Sequence, residues 1–286
     1  MDENQNKAGL GITASAAVSV FVEGNKLLTQ GDVDGALALF RKAIQIDPKL
    51  AIAHHQAGVC LVDKKDYDGA LRELNLALEL DSTNLDTYSE IGFVLRMKGD
   101  LDEAMKWFKK MLEIDSNSAK AYYELGFTLF DRKEFRGAIE NYKKCVELKP
   151  DYVNAYAELS DCFRALGDVK GAFSCMKKYV EFRPDDLEYQ LVLLDLYRKN
   201  GLLGDGLEYA KNLSQLKLPA RTEKELKRNE LFQKKIATMI KMLELDIKYF
   251  GETKVVSEKI AQSDETLKTW QHTKKSNLGK SITNEE

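Results

Sequence analysis

The chain has 286 residues, of which 44% are hydrophobic and 31% charged, with a net charge of −3 and four prolines. This composition excludes a largely disordered chain and a loop-rich all-β protein, and it argues against nucleic-acid binding through a general positive field. No apolar run reaches the roughly 18 residues of a membrane span, so no direct membrane insertion is expected. The start lacks a basic secretory signal and no CxxC pair occurs, which favours a cytoplasmic protein.

The first 14 residues contain Gly9 and Gly11 among polar residues and are predicted to be a flexible terminus. The apolar stretch that follows has two interpretations, a membrane anchor or the first helix of a repeat. Its register with Gly24 and Leu27 favours the helix, because the run is short and poorly flanked for an anchor.

An internal repeat of 34 residues organises the rest of the chain. An alanine recurs at this interval, and a glycine stands twelve residues before four of its copies. The alanines are Ala36, Ala70, Ala104, Ala138 and Ala172, and the glycines are Gly24, Gly58, Gly92 and Gly126. The predicted copies are 17–50, 51–84, 85–118, 119–152 and 153–186, followed by a degenerate copy at 187–220.

Each copy is predicted to form a hairpin of two helices that pack closely where their small residues meet. In the fourth copy, Tyr122, Leu125 and Leu129 share one helical face. Between the helices stands a glycine that can adopt the left-handed conformation, and an aspartate follows that can cap the next helix. Such pairs are Gly31–Asp32, Gly99–Asp100 and Gly167–Asp168. Asp100 and Glu103 are predicted to form a capping box.

The repeat resembles the tetratricopeptide repeat (TPR) family over residues 17 to about 220. The family's Gly/Ala, Ala, aromatic, Ala and Pro pattern is present in the first copy as Gly24, Ala36, Phe40, Ala43 and Pro48. The family's early tryptophan is replaced in every copy. Repeat and resemblance together predict an all-α, right-handed solenoid of five TPR hairpins, one degenerate repeat and a C-terminal capping helix.

A long helix is predicted after Pro219, because an apolar stripe runs from Phe232 to Phe250 before Gly251. Residues 221–271 are predicted to form a helical extension that caps the solenoid, and residues 272–286 a disordered tail. The near-heptad spacing of the stripe leaves a dimerising coiled coil open as the alternative.

No catalytic constellation emerges from the sequence. It contains no nucleotide-binding, nucleophile-elbow or zinc-protease motif. His54 and His55 are adjacent, so they cannot bind one metal ion from the same face of a helix. Cysteines at repeat-core positions are expected to be buried and inert. The sequence therefore predicts a protein that is not an enzyme and has no metal, cofactor or catalytic residue.

The inner face of the solenoid, formed by the first helix of each hairpin, is the surface expected to carry function. In TPR proteins this surface commonly binds an extended peptide or a partner's helix. The residues that the resemblance places on it are Phe21, Asn25, His55, Val59, Ser89, Glu90, Phe93, Arg96, Tyr123, Glu124, Phe127, Phe130, Glu158, Asp161 and Arg164. Large apolar side chains that a fold leaves unburied usually mark an interaction site.

We therefore predict a scaffold that binds a protein or peptide partner in this groove, in the assembly of a multi-protein complex. An apolar group of the partner would be held by four aromatic residues, Phe93, Tyr123, Phe127 and Phe130. The row of Glu90, Glu124 and Glu158 would steer a ligand that carries lysine or arginine. Alternatively, the aromatic residues merely pack between repeats, and the glutamates are ordinary exposed helix formers.

The alternative function is a self-assembling structural protein, with homo-oligomers formed through the solenoid ends or the C-terminal helix. A clamp for a chaperone's C-terminal carboxylate is not expected, because Asp86 and Glu90 stand where that subclass of TPR proteins needs basic groups.

Overall fold

The computed structural model describes residues 3–216 and 222–250, with side chains from residue 15 onward. The chain divides into two compact units, one up to Cys175 and one from Met176. Helices, and no strands, occur in the described ranges, which confirms the predicted all-α fold. The predictions for residues 251–271 and 272–286 lie outside the described residues.

Helices follow one another in pairs at the positions predicted for the hairpins. Their bounds are α1 Glu3–Thr29, α2 Val33–Ile46, α3 Ala51–Asp63, α4 Tyr67–Leu80, α5 Leu85–Lys98, α6 Leu101–Ile114, α7 Ala119–Asp131, α8 Phe135–Leu148, α9 Val153–Ala165, α10 Val169–Phe182, α11 Leu187–Lys199 and α12 Leu203–Ser214. A further helix, α13, covers residues 223–250. α1 includes residues 3–14, and the flexibility predicted for this terminus stays a prediction.

Hairpins of the first unit close over a glycine. In four copies, a Cβ atom added to the glycine of the first helix would lie only 2.4–2.8 Å from a large side chain of the second helix. The pairs are Gly24–Phe40, Gly58–Leu74, Gly92–Phe108 and Gly126–Tyr142. The large partners are fully buried. The prediction that small residues mark the close approach of the two helices is confirmed.

Aspartates cap three second helices, and each accepts a hydrogen bond from the backbone N–H of a glycine three residues later. The pairs, each with an N–H···O distance of 2.9 Å, are Gly35–Asp32, Gly69–Asp66 and Gly171–Asp168. A Cβ atom on these glycines would lie 2.3–2.8 Å from the capping carboxylate. Asp100 is followed by Glu103 instead, and its side chain makes no capping bond. The predicted capping box is therefore wrong, and the carboxylate of Glu103 pairs with Lys106 at 2.7 Å instead.

Consecutive hairpins of the first unit stack on one another. The contacts between hairpins are α2 with α3, α4 with α5, α6 with α7 and α8 with α9. Each hairpin therefore buries its outward apolar face on its neighbour, which is the organisation of an all-α solenoid.

The second unit has a core of its own. α11 packs on α12. α13 adds Phe232, Ile236 and Leu243 to a cluster that contains Leu194 and Ala210. Ile236 and Leu243 are fully buried, so α13 covers apolar surface of α11 and α12.

Candidate partner-binding face

The first helices of the hairpins form one face of the first unit. α3 contacts α5, α5 contacts α7 and α7 contacts α9. A stack of hairpins is concave on the side where alternate helices come closest, so these first helices line the inner face. All residues predicted for the groove belong to this unit.

Phe21 and Ser89 do not lie on an accessible surface, and their prediction as groove residues is corrected here. Phe21 is 9% exposed, and its ring centroid lies 5.5 Å from that of Phe40 in the hairpin core. Ser89 is 3% exposed. Both occupy the repeat position of His55 and Tyr123, which faces the seam between helices. The short side chain of Ser89 is therefore buried between the helices, and the ring of Phe21 packs against that of Phe40.

The other predicted residues reach the surface. Half-buried are Asn25, His55, Val59, Glu90, Phe93, Arg96, Tyr123, Glu124, Phe127, Phe130, Glu158 and Asp161, and Arg164 is exposed. His55 Nδ1 lies 2.9 Å from the hydroxyl of Thr87, and Arg164 pairs with Asp161 at 2.8 Å. Burial lowers the pKa of His55, with Asp86 opposing this effect.

Three aromatic side chains of α7 form a continuous patch on this face. The ring centroid of Phe127 lies 6.2 Å from that of Tyr123 and 6.5 Å from that of Phe130. Tyr123 also lies 4.8 Å from Tyr152, a residue that the sequence did not single out. The structure thus brings together the aromatic residues predicted for the fourth copy.

Arg96 connects the fourth aromatic residue, Phe93, to this patch. Its guanidinium carbon lies 4.3 Å from the ring centroid of Phe127 and 5.3 Å from that of Phe93, which are cation–π distances. Nη1 of Arg96 pairs with Asp131 at 3.2 Å. The side chain is only 12% exposed, so it is a fixed part of the groove wall.

The three glutamates of the predicted row are half-buried at equivalent positions of α5, α7 and α9. Burial raises the pKa of each carboxyl group. For Glu158 the pKa rises to about 7, because Asp161 and Asp131 add to the effect of burial and Arg96 only partly opposes it. Among the described residues, none of the three forms an ion pair. These carboxylates can therefore accept hydrogen bonds from a ligand.

Tyr142 is a residue of this region that sequence reasoning placed only in the core. It is fully buried under the groove, with its ring centroid 5.6 Å from that of Tyr123. Its hydroxyl oxygen has no hydrogen-bond partner within the described ranges. The sequence could have indicated this residue, because Tyr142 occupies the repeat position of Phe40, Leu74 and Phe108 and is the one among them with a hydroxyl group.

His54, Cys60 and Cys145 have structural surroundings rather than those of catalytic groups. His54 lies 2.7 Å from Glu73 and 3.1 Å from the carbonyl oxygen of Pro48. Burial raises the pKa of Cys60 to about 11 and that of Cys145 to about 12, which disfavours the nucleophilic thiolate. The described residues contain no group of three or more potential metal ligands.

Family models match most of the repeat region. Models described as tetratricopeptide repeat match residues 27–90, 119–152 and 153–186, and one described as TPR repeat matches residues 94–131. The chain belongs to the tetratricopeptide repeat family. TPR proteins are generally non-catalytic scaffolds, so this chain is a helical-repeat scaffold for protein interaction. No described helix combines the length and hydrophobicity that a membrane span needs.

Solved structures show the same fold. A crystal structure of MamA is 26% identical, with a TM-score of 0.51 over 63% of this chain and 96% of MamA. PilW, described as a widely conserved type IV pilus biogenesis factor, is 19% identical, with a TM-score of 0.61 over 70% of this chain and 92% of PilW. PilF of Pseudomonas aeruginosa is also 19% identical, with a TM-score of 0.61 over 76% of this chain and 99% of PilF. Comparison with curated proteins gave no significant match.

Proposed function

We propose that this TPR protein binds an extended segment of a protein partner along the inner face of α5, α7 and α9, in the assembly of a multi-protein complex. The observation that carries the proposal is the half-buried aromatic patch of Tyr123, Phe127 and Phe130, extended by Arg96 and Phe93. A partner side chain that covers half-buried rings in a concave wall removes apolar surface from water, which stabilises the complex.

The packing of Arg96 supports a preformed site. Its guanidinium group is held between two rings and by Asp131, so little side-chain entropy is lost when a ligand binds. The glutamates beside the rings give the groove a negative rim, which favours partners that present basic and apolar side chains together.

The test of the groove uses a displayed library of random peptides, selected on the purified full chain. We expect Phe127→Ala to weaken binding of the selected peptides at least about tenfold, because the central ring of the patch is lost. Phe163→Ala is the matched control, since Phe163 is half-buried on α9 and packs against Gly171 instead. Affinities are measured by fluorescence anisotropy.

Stability measurements separate binding from folding. Phe108→Ala should cost roughly 3–5 kcal/mol of unfolding free energy, because Phe108 is fully buried in a hairpin. Phe127→Ala should cost clearly less. Equal loss of stability in both variants, or unchanged affinity in Phe127→Ala, would show that Phe127 belongs to the core rather than to a binding site.

A further inference from the structure

A groove runs between α11 and α13 in the second unit. Two surface cavities of about 340 Å³ and 450 Å³ lie along it, and both are lined by Leu191 and Lys235. Most of the lining residues of α13 are spaced as one face of a helix, and these are Arg228, Leu231, Phe232, Lys235, Thr238 and Met239. The two cavities are therefore parts of one continuous groove.

The floor of this groove is apolar, and part of it is open to solvent. Leu187 and Phe232 are buried, whereas Leu191 and Met239 are half-buried. Leu231 is 55% exposed. A partner that covers these side chains removes apolar surface from water, so the groove is suited to an apolar ligand.

The two sides of the groove carry opposite charges. Arg228, Lys234 and Lys235 line it from α13. Asp185 and Glu188 line it from the start of α11. All five side chains are exposed, and within the described residues none of them forms an ion pair. Charges on a ligand can therefore pair with them.

The remaining charged residues of the lining make the basic side the stronger of the two. Asp186 accepts a hydrogen bond of 2.8 Å from the hydroxyl of Tyr179, and Asp195 pairs with Lys199 at 2.7 Å. Arg183 adds an exposed cation next to the start of α11. More cations than carboxylates of the groove are therefore available to a ligand, which favours an occupant that presents carboxylates to α13.

We propose that this groove is a second interaction surface, which binds an amphipathic helix of a partner protein. The helix places apolar side chains on the floor and carboxylates along its edge towards α13. A helix pairs its own backbone groups, so it can lie on an apolar floor without leaving them unsatisfied. α11 has 13 residues and is about 20 Å long, which gives room for about three to four turns of the bound helix. The inference concerns the second unit and does not rest on the function proposed for the first.

The experiment uses a displayed library of amphipathic helices, selected at low salt on the purified full chain. We expect the selected helices to carry aspartate or glutamate along one edge. Lys234→Glu combined with Lys235→Glu should weaken their binding about tenfold, and lysine in place of the helix carboxylates should restore it. Lys241→Glu combined with Lys248→Glu is the matched control, because these exposed lysines of α13 line neither cavity.

Leu231→Ala separates binding to the apolar floor from folding. Because Leu231 is 55% exposed, its loss should leave thermal melting unchanged and weaken the selected helices about fivefold. Leu226→Ala is the matched control, since Leu226 is 50% exposed on the same helix and lines neither cavity. Phe127→Ala should also leave this binding unchanged, which distinguishes the groove from the face of the first unit.

Three outcomes would overturn the proposal. The first is that no selected helix loses affinity when Lys234 and Lys235 are reversed in charge. The second is a dimer in light scattering that this reversal dissociates, because a second copy of the chain would then occupy the groove. The third is a change in the fluorescence of Trp270, measured with Trp107→Phe, upon the same reversal, because residues after Phe250 would then cover the groove.

Discussion

Glu90, Glu124 and Glu158 occupy equivalent repeat positions, yet their neighbours give them different acid–base properties. Burial raises the pKa of Glu90 and of Glu124, and positive charge partly opposes this effect, from Lys120 at Glu90 and from Arg96 and Lys120 at Glu124. At Glu158 the charges of Asp161 and Asp131 add to the effect of burial, Arg96 opposes it only in part, and the pKa rises to about 7. The repeat therefore fixes the location of these carboxylates, and the non-repeated neighbours fix their charge.

The pKa of Glu158 predicts how its removal changes stability with pH. At about pH 8 the folded chain holds an ionised, half-buried carboxylate that the unfolded chain solvates fully, so Glu158→Gln should raise the free energy of unfolding by about 1–2 kcal/mol. This value is reduced from the full pKa shift because the carboxylate is partly solvated. The gain should shrink as the pH falls through about 7 towards the ordinary pKa of 4.5 and vanish below it, where Glu158 is protonated in both states.

Urea unfolding followed by fluorescence of Trp107 measures this effect in the first unit. Trp270→Phe provides the background, since Trp107 and Trp270 are the two tryptophans of the chain. If Glu158→Gln raised the free energy of unfolding by the same amount at about pH 8 and at about pH 4, the result would contradict the proposed environment of Glu158.

Lysine replaces glycine at two turn positions that require a left-handed backbone. Gly31, Gly99, Gly167 and Gly201 have φ between 72° and 88°, and Lys65 and Lys133, which lie in the same column, have φ of 62°. This conformation is unfavourable for residues with a Cβ atom, so the hairpins of the second and fourth copies contain local strain. The stacked helices on either side hold the backbone in place.

At the scale of helices, the two helices of a hairpin approach closely because glycine carries a hydrogen atom where other residues carry a Cβ atom. A Cβ atom on Gly92 would lie 2.4 Å from the ring of Phe108, whereas one on Gly137 would meet Leu129 at an ordinary 3.4 Å. Both glycines lie within helices, where alanine has the higher helix propensity.

Alanine at these two positions should therefore have opposite effects. Gly92→Ala should lower the free energy of unfolding by about 1–3 kcal/mol, because Phe108 cannot move aside in a packed core. Gly137→Ala should raise it by about 0.5–1 kcal/mol. Trp107 fluorescence in urea measures both variants. A stabilising Gly92→Ala would contradict the close approach of α5 and α6.

At the scale of the molecule, α13 supplies much of the core of the second unit. Ile236 is fully buried against α11 and α12, while Leu245 of the same helix is 66% exposed. The sequence left a cap and a coiled coil as alternatives for this helix. These contacts support the cap, which stays a prediction for residues 221–271 as a whole.

Ile236→Ala should destabilise the second unit by about 2–5 kcal/mol, because it opens a cavity among α11, α12 and α13. Leu245→Ala is the matched control and should change stability by less than about 0.5 kcal/mol. Hydrogen–deuterium exchange of α11 and α12 reports the loss of protection. If Leu245→Ala also deprotected these helices, or Ile236→Ala did not, the cap would be refuted.

Much of the candidate face could be predicted from the 34-residue spacing alone, because equivalent residues of stacked hairpins face the same way. The spacing placed Phe127, Phe130 and the glutamates on one wall. It failed for Phe21 and Ser89, since exposure in the seam depends on side-chain size and on what lies opposite. It also gave no role to Tyr142, whose unpaired hydroxyl depends on the groups around it.

The order of small and large residues determined by itself that this chain forms helical hairpins of fixed length, because close helix approach demands glycine or alanine at a regular interval. Tertiary structure alone decided which side chains are exposed at the seams between helices, which carboxylates are partly removed from water and which aspartates cap a helix. These properties depend on neighbours brought together from different repeats, and a pattern that treats all repeats as equal does not contain them.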